Sequence, residues 1–182
     1  MADVLGKLST GPASQRPDLL AEPVVAALAA WPAGGDDVLV APIDPELADT
    51  AAFCAAYDVA PEVSANCVVV AGKREGEVRH AACMVLATTR ADVNGAVRRH
   101  LDVRKASFLP MAEAVELSGM EYGGITPIGL PLWPVLVDPA VAAAPWVVIG
   151  SGVRRSKIVL PGRLLEQLPG AVVLDGLGLP VG

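Results

Sequence analysis

The chain has 182 residues, of which 53% are hydrophobic and 19% charged, enough apolar material for the core of one ordinary domain. No apolar stretch approaches the roughly 20 residues that cross a bilayer, and the start, from Met1 to Val4, lacks the basic region of a signal peptide. The net charge of −6 argues against a general nucleic-acid binder. We therefore expect a cytoplasmic protein with no DNA or membrane partner.

The cysteines and histidines do not favour metal or redox chemistry. Cys54, Cys67 and Cys83 follow no CxxC pattern, and their odd number argues against a disulfide framework. The two histidines, His80 and His100, lack metal-ligand spacing. We expect the cysteines to be small buried hydrophobic residues and the protein to need no metal or other cofactor.

The N-terminal part of the chain predicts a loose segment, a helix and a strand. Residues 1–17 contain few large apolar groups and are expected to be loosely ordered, so the folded domain is assigned to residues 18–182. Asp18 is suited to cap a helix that ends before Pro32. A short strand follows at residues 38–40.

The next segment predicts a second helix and a β-hairpin. Asp44-Pro45 places a proline at the first position of a helix that extends toward Tyr57. Residues 66–71 are apolar on both faces, which is typical of a central strand. A charged, glycine-containing turn separates this strand from residues 78–87, so the two strands form a hairpin.

Two further helices and a strand precede the most unusual segment of the chain. Asp92 can cap a helix with a regular apolar stripe, and a short strand is predicted at residues 107–109. Pro110 then begins a helix that Gly119 ends.

The C-terminal part predicts four strands and one helix. The helix covers residues 161–168, with Pro161 at its first position. The strands lie at residues 135–137, 146–149, 157–160 and 171–174. Strands and helices are interspersed without a strict βαβ rhythm, so we predict a single mixed α/β domain, with a mixed sheet flanked by helices.

A glycine- and proline-rich segment spans residues 123–131, Gly-Gly-Ile-Thr-Pro-Ile-Gly-Leu-Pro. Glycine lets another molecule approach the main chain closely, and proline stiffens the surrounding loop. Free main-chain N–H groups in such a loop suit an oxyanion or a carbonyl oxygen. A well-formed structural turn is the alternative for these residues taken alone.

From about residue 38 to residue 174, the order of elements and several motifs resemble the YbaK/EbsC family, which shares its fold with the editing domain of bacterial prolyl-tRNA synthetases. Residues 123–129 resemble the family's GxxxP loop and its following glycine. The other matching motifs are Ser118-Gly119, Pro134-Val135-Leu136-Val137-Asp138 and Ile149-Gly150-Ser151-Gly152.

The resemblance implies a largely antiparallel sheet and hydrolysis of the ester that joins a wrong amino acid to its tRNA. Charged tRNA is the implied partner, an aminoacyl-tRNA synthetase is a further candidate, and a small amino acid is the expected group. The implied catalytic residues are Gly123, Gly124, Ile125, Thr126, Pro127 and Asn66. The implied substrate-binding residues are Gly129, Gly150, Ser151, Gly152 and Met84.

The chain departs from the family pattern at two places. Most members have a functional lysine where this chain has Asn66, and Lys73 lies on the order of 23 Å further along an extended strand. Asparagine forms hydrogen bonds but carries no positive charge. After residue 149, Gly150 and Lys157 replace polar residues that often face the family's pocket. Either a different substrate group is held there, or Lys157 supplies the missing lysine.

Three interpretations therefore stay open. The first is a deacylase that acts on tRNA in trans, and the second is a non-catalytic module that binds aminoacyl-tRNA, an amino acid or a synthetase. The third is a domain whose site lies elsewhere. A basic cluster is predicted to meet the tRNA acceptor stem, although solvated helix faces have the same composition. It comprises Arg98, Arg99, Arg104 and Lys105.

Overall fold

The structure is a computed structural model that describes residues 5–31 and 34–181. The described chain contains eleven strands. They are β1 (Gly11–Pro12), β2 (Leu39–Pro42), β3 (Ala65–Arg74), β4 (Glu77–Leu86), β5 (Thr89–Ala91), β6 (Ala106–Phe108), β7 (Val135–Val137), β8 (Val147–Gly150), β9 (Ser156–Leu160), β10 (Ala171–Val173) and β11 (Gly178–Pro180).

The strands form two larger sheets and a two-stranded ribbon. The first sheet has the order β1-β2-β9-β8, the second β10-β7-β4-β3-β6, and the ribbon pairs β11 with β5. Strand β7 runs parallel to its neighbours β4 and β10, and the other pairs within these sheets are antiparallel. The predicted mixed, largely antiparallel architecture is therefore confirmed.

Short helices connect the strands. The α-helices are α1 (Glu22–Ala30), α2 (Thr50–Tyr57), α3 (Arg98–Leu101), α4 (Met111–Ser118) and α5 (Pro139–Ala142). A π-helix at Val93–Val97 leads into α3. The 3₁₀-helices are Ala13–Gln15, Pro17–Leu19, Pro45–Leu47, Pro61–Val63 and Gly162–Gln167.

The predicted hairpin and two predicted helix ends are confirmed. Strands β3 and β4 pair over their full length, and the turn between them uses Glu75 and Gly76, with φ of 52° and 87°. The Asp92 carboxylate accepts hydrogen bonds from the N–H groups of Gly95 and Ala96, so it caps the helix as expected. Gly119, with φ of 67°, ends α4.

Three predicted helices have different bounds. Asp18 is not an N-cap: it lies in a 3₁₀ turn and pairs with Arg16, and α1 begins at Glu22, because Pro23 would clash with the preceding turn inside a longer helix. The second helix is divided into a 3₁₀ turn and α2, because Asp49 between them is extended. The helix expected at 161–168 is a 3₁₀-helix, and Pro161 is its N-cap.

The N-terminal segment differs from the loosely ordered stretch that we expected. Within the described residues 5–17, Leu5 and Ala13 are buried. Gly11 and Pro12 pair with β2, and this pairing extends the first sheet by one short strand. Burial and strand pairing order a segment whose composition alone suggests little packing.

The core consists of three apolar clusters: one contains side chains of both larger sheets, and the other two lie on the opposite face of the second and of the first sheet. Met84 and Ile158 belong to a cluster that contains side chains of both larger sheets. Cys83, the neighbour of Met84, points to the opposite face of the second sheet. Val159, the neighbour of Ile158, packs with Phe53 of α2 in a third cluster. Successive side chains of a strand point to opposite faces, so Lys157 and Val159 point to the same face of the first sheet.

Candidate functional site

A cavity of about 310 Å³, here called the central cavity, lies where the glycine loop meets the starts of α2 and β3 and the end of β6. Its walls combine apolar side chains with the polar or charged side chains of Asp49, Thr50, Asn66 and Lys157. It is lined by Ala48, Asp49, Thr50, Ala65, Asn66, Cys67, Val68, Val69, Phe108, Leu109, Ala114, Tyr122, Gly123, Ile125, Gly150 and Lys157. The structure thus brings Asn66, part of the glycine loop and Gly150 to one cavity.

Asn66 is held at the cavity wall by a neighbour on α2. Thr50 Oγ1 donates a 2.6 Å hydrogen bond to Asn66 Oδ1. The side-chain NH₂ group of Asn66 makes no hydrogen bond within the described residues, and it supplies two donors. Asn66 therefore has a defined orientation and donors that a ligand can use.

The glycine loop divides into residues that face the central cavity and residues that pack. Gly123, with φ of 83°, and Ile125 line the cavity, and their main-chain N–H groups have no partner among residues 5–31 and 34–181. Gly124 donates to the Glu121 carbonyl at 3.0 Å and accepts from the Gly152 N–H at 2.7 Å. A Cβ at Gly124 would lie 2.6 Å from the Val153 carbonyl oxygen, so this glycine permits close backbone packing.

The turn between β8 and β9 packs against the glycine loop. A Cβ at Gly150 would lie 2.5 Å from the carbonyl oxygens of both Gly124 and Ile125. Ser151 is fully buried, and its hydroxyl oxygen lies 3.1 Å from the carbonyl oxygens of both Val153 and Ser156, either of which can accept its one proton. Ser151 therefore orders the turn and does not line the central cavity.

Other predicted site residues lie away from the central cavity. Met84 is fully buried in the core. Thr126 is also fully buried, and its hydroxyl has no partner in the described part of the chain. Pro127 and Gly129 line a separate cavity of about 230 Å³. Gly152, with φ of 88°, packs against Ala21. None of these five residues lines the central cavity.

Lys157 is the positively charged side chain that lines the central cavity. It is only 8% exposed, and its Nζ donates to the Ala48 carbonyl at 3.0 Å and lies 5.1 Å from the centre of the Phe53 ring. Burial lowers the pKa of the Lys157 ammonium, and the positive charge of Arg154 acts in the same direction. In the sequence, the family resemblance singled out Lys157, as one of two explanations for the absent family lysine.

Among the described residues that line the cavity, none is a nucleophile activated by a base. Cys67 lines it, but burial raises the pKa of the Cys67 thiol, and burial raises that of its neighbour Cys83 to about 12. A neutral thiol is a poor nucleophile. Asp49 is the carboxylate in the cavity wall, and it lies 3.8 Å from Arg154 Nη1. The cavity is therefore suited to bind a substrate and polarise it through hydrogen bonds, and not to attack it with a cysteine nucleophile.

The basic cluster is divided by the fold. Arg104 and Lys105 line a second, open cavity of about 500 Å³ together with Lys73, and this cavity, here called the basic groove, shares Phe108 and Leu109 with the central cavity. Arg98 and Arg99 lie on α3 and do not line the basic groove. Phe108 is 60% exposed where the two cavities adjoin.

A protein-family model covers most of the chain. The family model described as the aminoacyl-tRNA editing domain matches residues 44–168, which include the cavity residues from Ala48 to Lys157. The chain belongs to this family. The resemblance to YbaK-like proteins inferred from the motifs is therefore confirmed, and with it the editing role at the level of the family.

Solved structures share the fold of this editing domain. A candidate trans-editing enzyme for prolyl-tRNA synthetase is 22% identical, with a TM-score of 0.71 over 88% of this chain and 96% of that chain. A hypothetical protein is 21% identical, with a TM-score of 0.73 over 87% of this chain and 100% of that chain. No match was found among curated protein sequences. Within residues 5–31 and 34–181, no helix has both the length and the apolar character needed to cross a membrane.

Proposed function

We propose that this editing domain acts in trans as a deacylase that hydrolyses the ester of a tRNA mischarged with a small amino acid. The observation that supports the proposal most strongly is the pair of unpartnered N–H groups, from Gly123 and Ile125, at the central cavity. Such donors bind a carbonyl oxygen and stabilise the negative charge that develops on it. The cytoplasm, where charged tRNA is used, is the proposed compartment.

The proposed chemistry depends on positioning. Water attacks the ester carbon, and a substrate hydroxyl assists, because the cavity contains no base–nucleophile pair. The Asn66 NH₂ group donates a hydrogen bond to the substrate, and Thr50 fixes its orientation. Gly124, Thr126, Pro127, Gly129 and the turn at 150–152 hold the loop in shape.

The size of the central cavity favours a small amino acid. At about 310 Å³ it lies at the lower end of the usual range for ligand pockets, roughly 300–1,000 Å³. It also has to admit part of the terminal ribose, which leaves little room for a large side chain. Alanine, serine, proline and cysteine are therefore the amino acids to test first.

The basic groove is the proposed path of the tRNA acceptor end. Lys73, Arg104 and Lys105 provide positive charge along it. Exposed Phe108, at the junction with the central cavity, offers a face on which a base can stack. Arg98 and Arg99 lie outside the groove and would contribute only by longer-range attraction, which salt screens.

A second candidate is a non-catalytic module that binds aminoacyl-tRNA, an amino acid or a synthetase. The presence of Asn66 at the position of the family's lysine favours it, because asparagine brings no positive charge. Under this alternative, the protein binds a non-hydrolysable aminoacyl-adenosine analogue but releases no amino acid from charged tRNA.

The deciding experiment measures deacylation of tRNAs charged with alanine, serine, proline or cysteine. We compare the wild type with Asn66→Ala and with Asn94→Ala, a control at an exposed asparagine on the π-helix. The deacylase proposal requires hydrolysis by the wild type and the control and a clear loss in Asn66→Ala. Binding of the analogue without hydrolysis would support the binding module.

A further inference from the structure

Lys157 is a buried cation that the mechanism above leaves unused. Only 8% of it is exposed, and no carboxylate lies within 4 Å of its Nζ in the described part of the protein. An ammonium has three donors, and the Ala48 carbonyl takes one of them. A buried charge without a counter-ion is costly, so such groups are uncommon unless they have a role.

The surroundings of Lys157 compensate its charge only in part: Nζ donates to the Ala48 carbonyl and lies 5.1 Å from the centre of the Phe53 ring. Ala48, its hydrogen-bond acceptor, stands two residues before α2, whose N-terminal end carries partial positive charge. Arg154 adds a positive charge nearby, and Asp49 and the Cys54 thiol are the neighbouring groups that favour the ammonium. The site therefore combines a cation with a helix N-terminus, an arrangement that attracts a negatively charged oxygen.

The fold places Lys157 beside the glycine loop. In the first sheet Lys157 is directly opposite Gly150, and Gly150 contacts the carbonyls of Gly124 and Ile125. Lys157, Gly123 and Ile125 all line the central cavity. The ammonium and the unpartnered loop N–H groups therefore belong to residues of one cavity wall, where a single bound carbonyl group is within the reach of both.

We propose that Lys157 is a catalytic residue whose ammonium donates to the ester carbonyl oxygen and stabilises the oxyanion formed during deacylation. Water adds through its oxygen to the ester carbon, and the C=O π pair moves onto the carbonyl oxygen. When the C=O bond re-forms, the bond from carbon to the ribose oxygen breaks, and that oxygen takes the proton lost by water. The products are the amino acid and a tRNA with a free terminal hydroxyl. This inference rests on the proposed deacylase function.

The test compares Lys157→Met and Lys157→Arg with Lys7→Met, a control at an exposed lysine paired with Asp58. Deacylation is measured in single-turnover and steady-state modes, with spontaneous hydrolysis subtracted. We expect Lys157→Met to lower kcat by about 100-fold or more with little change in KM. Lys157→Arg keeps the charge and is expected to retain part of the activity.

Thermal unfolding separates a catalytic role from a structural one. Methionine of similar volume replaces an unpaired buried charge, so we expect the melting temperature of Lys157→Met to stay the same or rise. The pH profile gives an independent readout from the wild type: kcat falls at alkaline pH as the ammonium loses its proton, and Lys157→Arg lacks this fall. Wild-type kcat in Lys157→Met, or the same alkaline fall in Lys157→Arg, would overturn the proposal.

The outcomes distinguish this inference from the proposed function. If the wild type hydrolyses none of the charged tRNAs, the deacylase proposal fails. Binding of a non-hydrolysable 3′-amide analogue of aminoacyl-adenosine then tests the Lys157 contact directly. If Lys157→Met binds the analogue at least tenfold more weakly than the wild type and Lys7→Met does not, Lys157 binds the carbonyl oxygen. If Lys157→Met and the wild type bind the analogue equally, Lys157 does not contact the carbonyl oxygen.

Discussion

Replacing Gly150 by alanine tests whether the turn between β8 and β9 positions the glycine loop. The added Cβ would lie 2.5 Å from the carbonyl oxygens of Gly124 and Ile125, whereas ordinary contacts begin at 3.4 Å. Both opposing atoms belong to the main chain, so no rotamer change can relieve the clash. The loop would have to move by about 1 Å, an overpacking effect with a typical cost of 1–3 kcal/mol.

Two assays follow from this displacement. For a chain of this length, a cost of about 2 kcal/mol lowers the melting temperature by roughly 4–8 °C. A displacement of about 1 Å at a catalytic site can reduce the rate on the order of 100-fold. We therefore expect Gly150→Ala to fold, to melt several degrees lower and to lose most of its deacylation activity.

Gly11→Ala provides the matched control. Gly11 is also a strand glycine in the first sheet, and a Cβ there meets nothing within 4 Å. This variant is expected to match the wild type in melting temperature and activity. If Gly150→Ala also matched the wild type in both measurements, the loop would not depend on contact with Gly150, and the reasoning from backbone packing would be wrong.

Three other predictions concern Thr126, the basic groove and Lys157. Thr126→Val removes a buried hydroxyl without a partner, so we expect the free energy of unfolding to rise by about 1 kcal/mol in a urea titration with deacylation retained; a loss of activity would show a direct role for the hydroxyl. Arg104→Gln combined with Lys105→Gln is expected to weaken tRNA binding and to reduce its salt dependence, whereas Arg99→Gln changes both less; equal effects would contradict the groove path. Burial lowers the pKa of Lys157 in the folded state, so between the folded and unfolded pKa values the unfolded chain binds more protons than the folded one. The free energy of unfolding is therefore expected to rise with pH through that window. Unfolding measured against pH checks this, and the rise is expected to be absent from Lys157→Met.

Much of the secondary structure could be predicted because its signals are local. The β3–β4 hairpin follows from two apolar runs separated by a charged turn, and the helix caps at Asp92 and Gly119 depend on residues within a few positions. The predicted start of α1 was wrong, because Pro23 restricts the helix to begin at Glu22 although Asp18 has the residue type of an N-cap. Strands β1, β5 and β11 have two or three residues each, which is too short for a sequence pattern, so only their pairing with other strands identifies them.

The resemblance assigned residues 123–127 a common catalytic role, and the structure places them in different environments. Gly123 and Ile125 line the central cavity, whereas Gly124 uses its N–H and carbonyl groups to bind Glu121 and Gly152. Which main-chain groups are free depends both on local hydrogen bonds, such as that from Gly124 to Glu121, and on contacts distant in sequence, such as that from Gly152. A motif identifies the loop but not the direction of each N–H group.

Local patterns of residue types predicted the mixed α/β class and located the glycine loop, and the motifs carried the resemblance to the family, because these signals depend on residues that lie close together in the chain. The tertiary structure alone showed that Lys157 and Asn66 line the same cavity, although 90 intervening residues separate them. It also separated Arg104 and Lys105 from Arg98 and Arg99. The physical reason is that cavity walls are assembled by strand pairing and packing between distant segments, and sequence spacing does not encode those contacts.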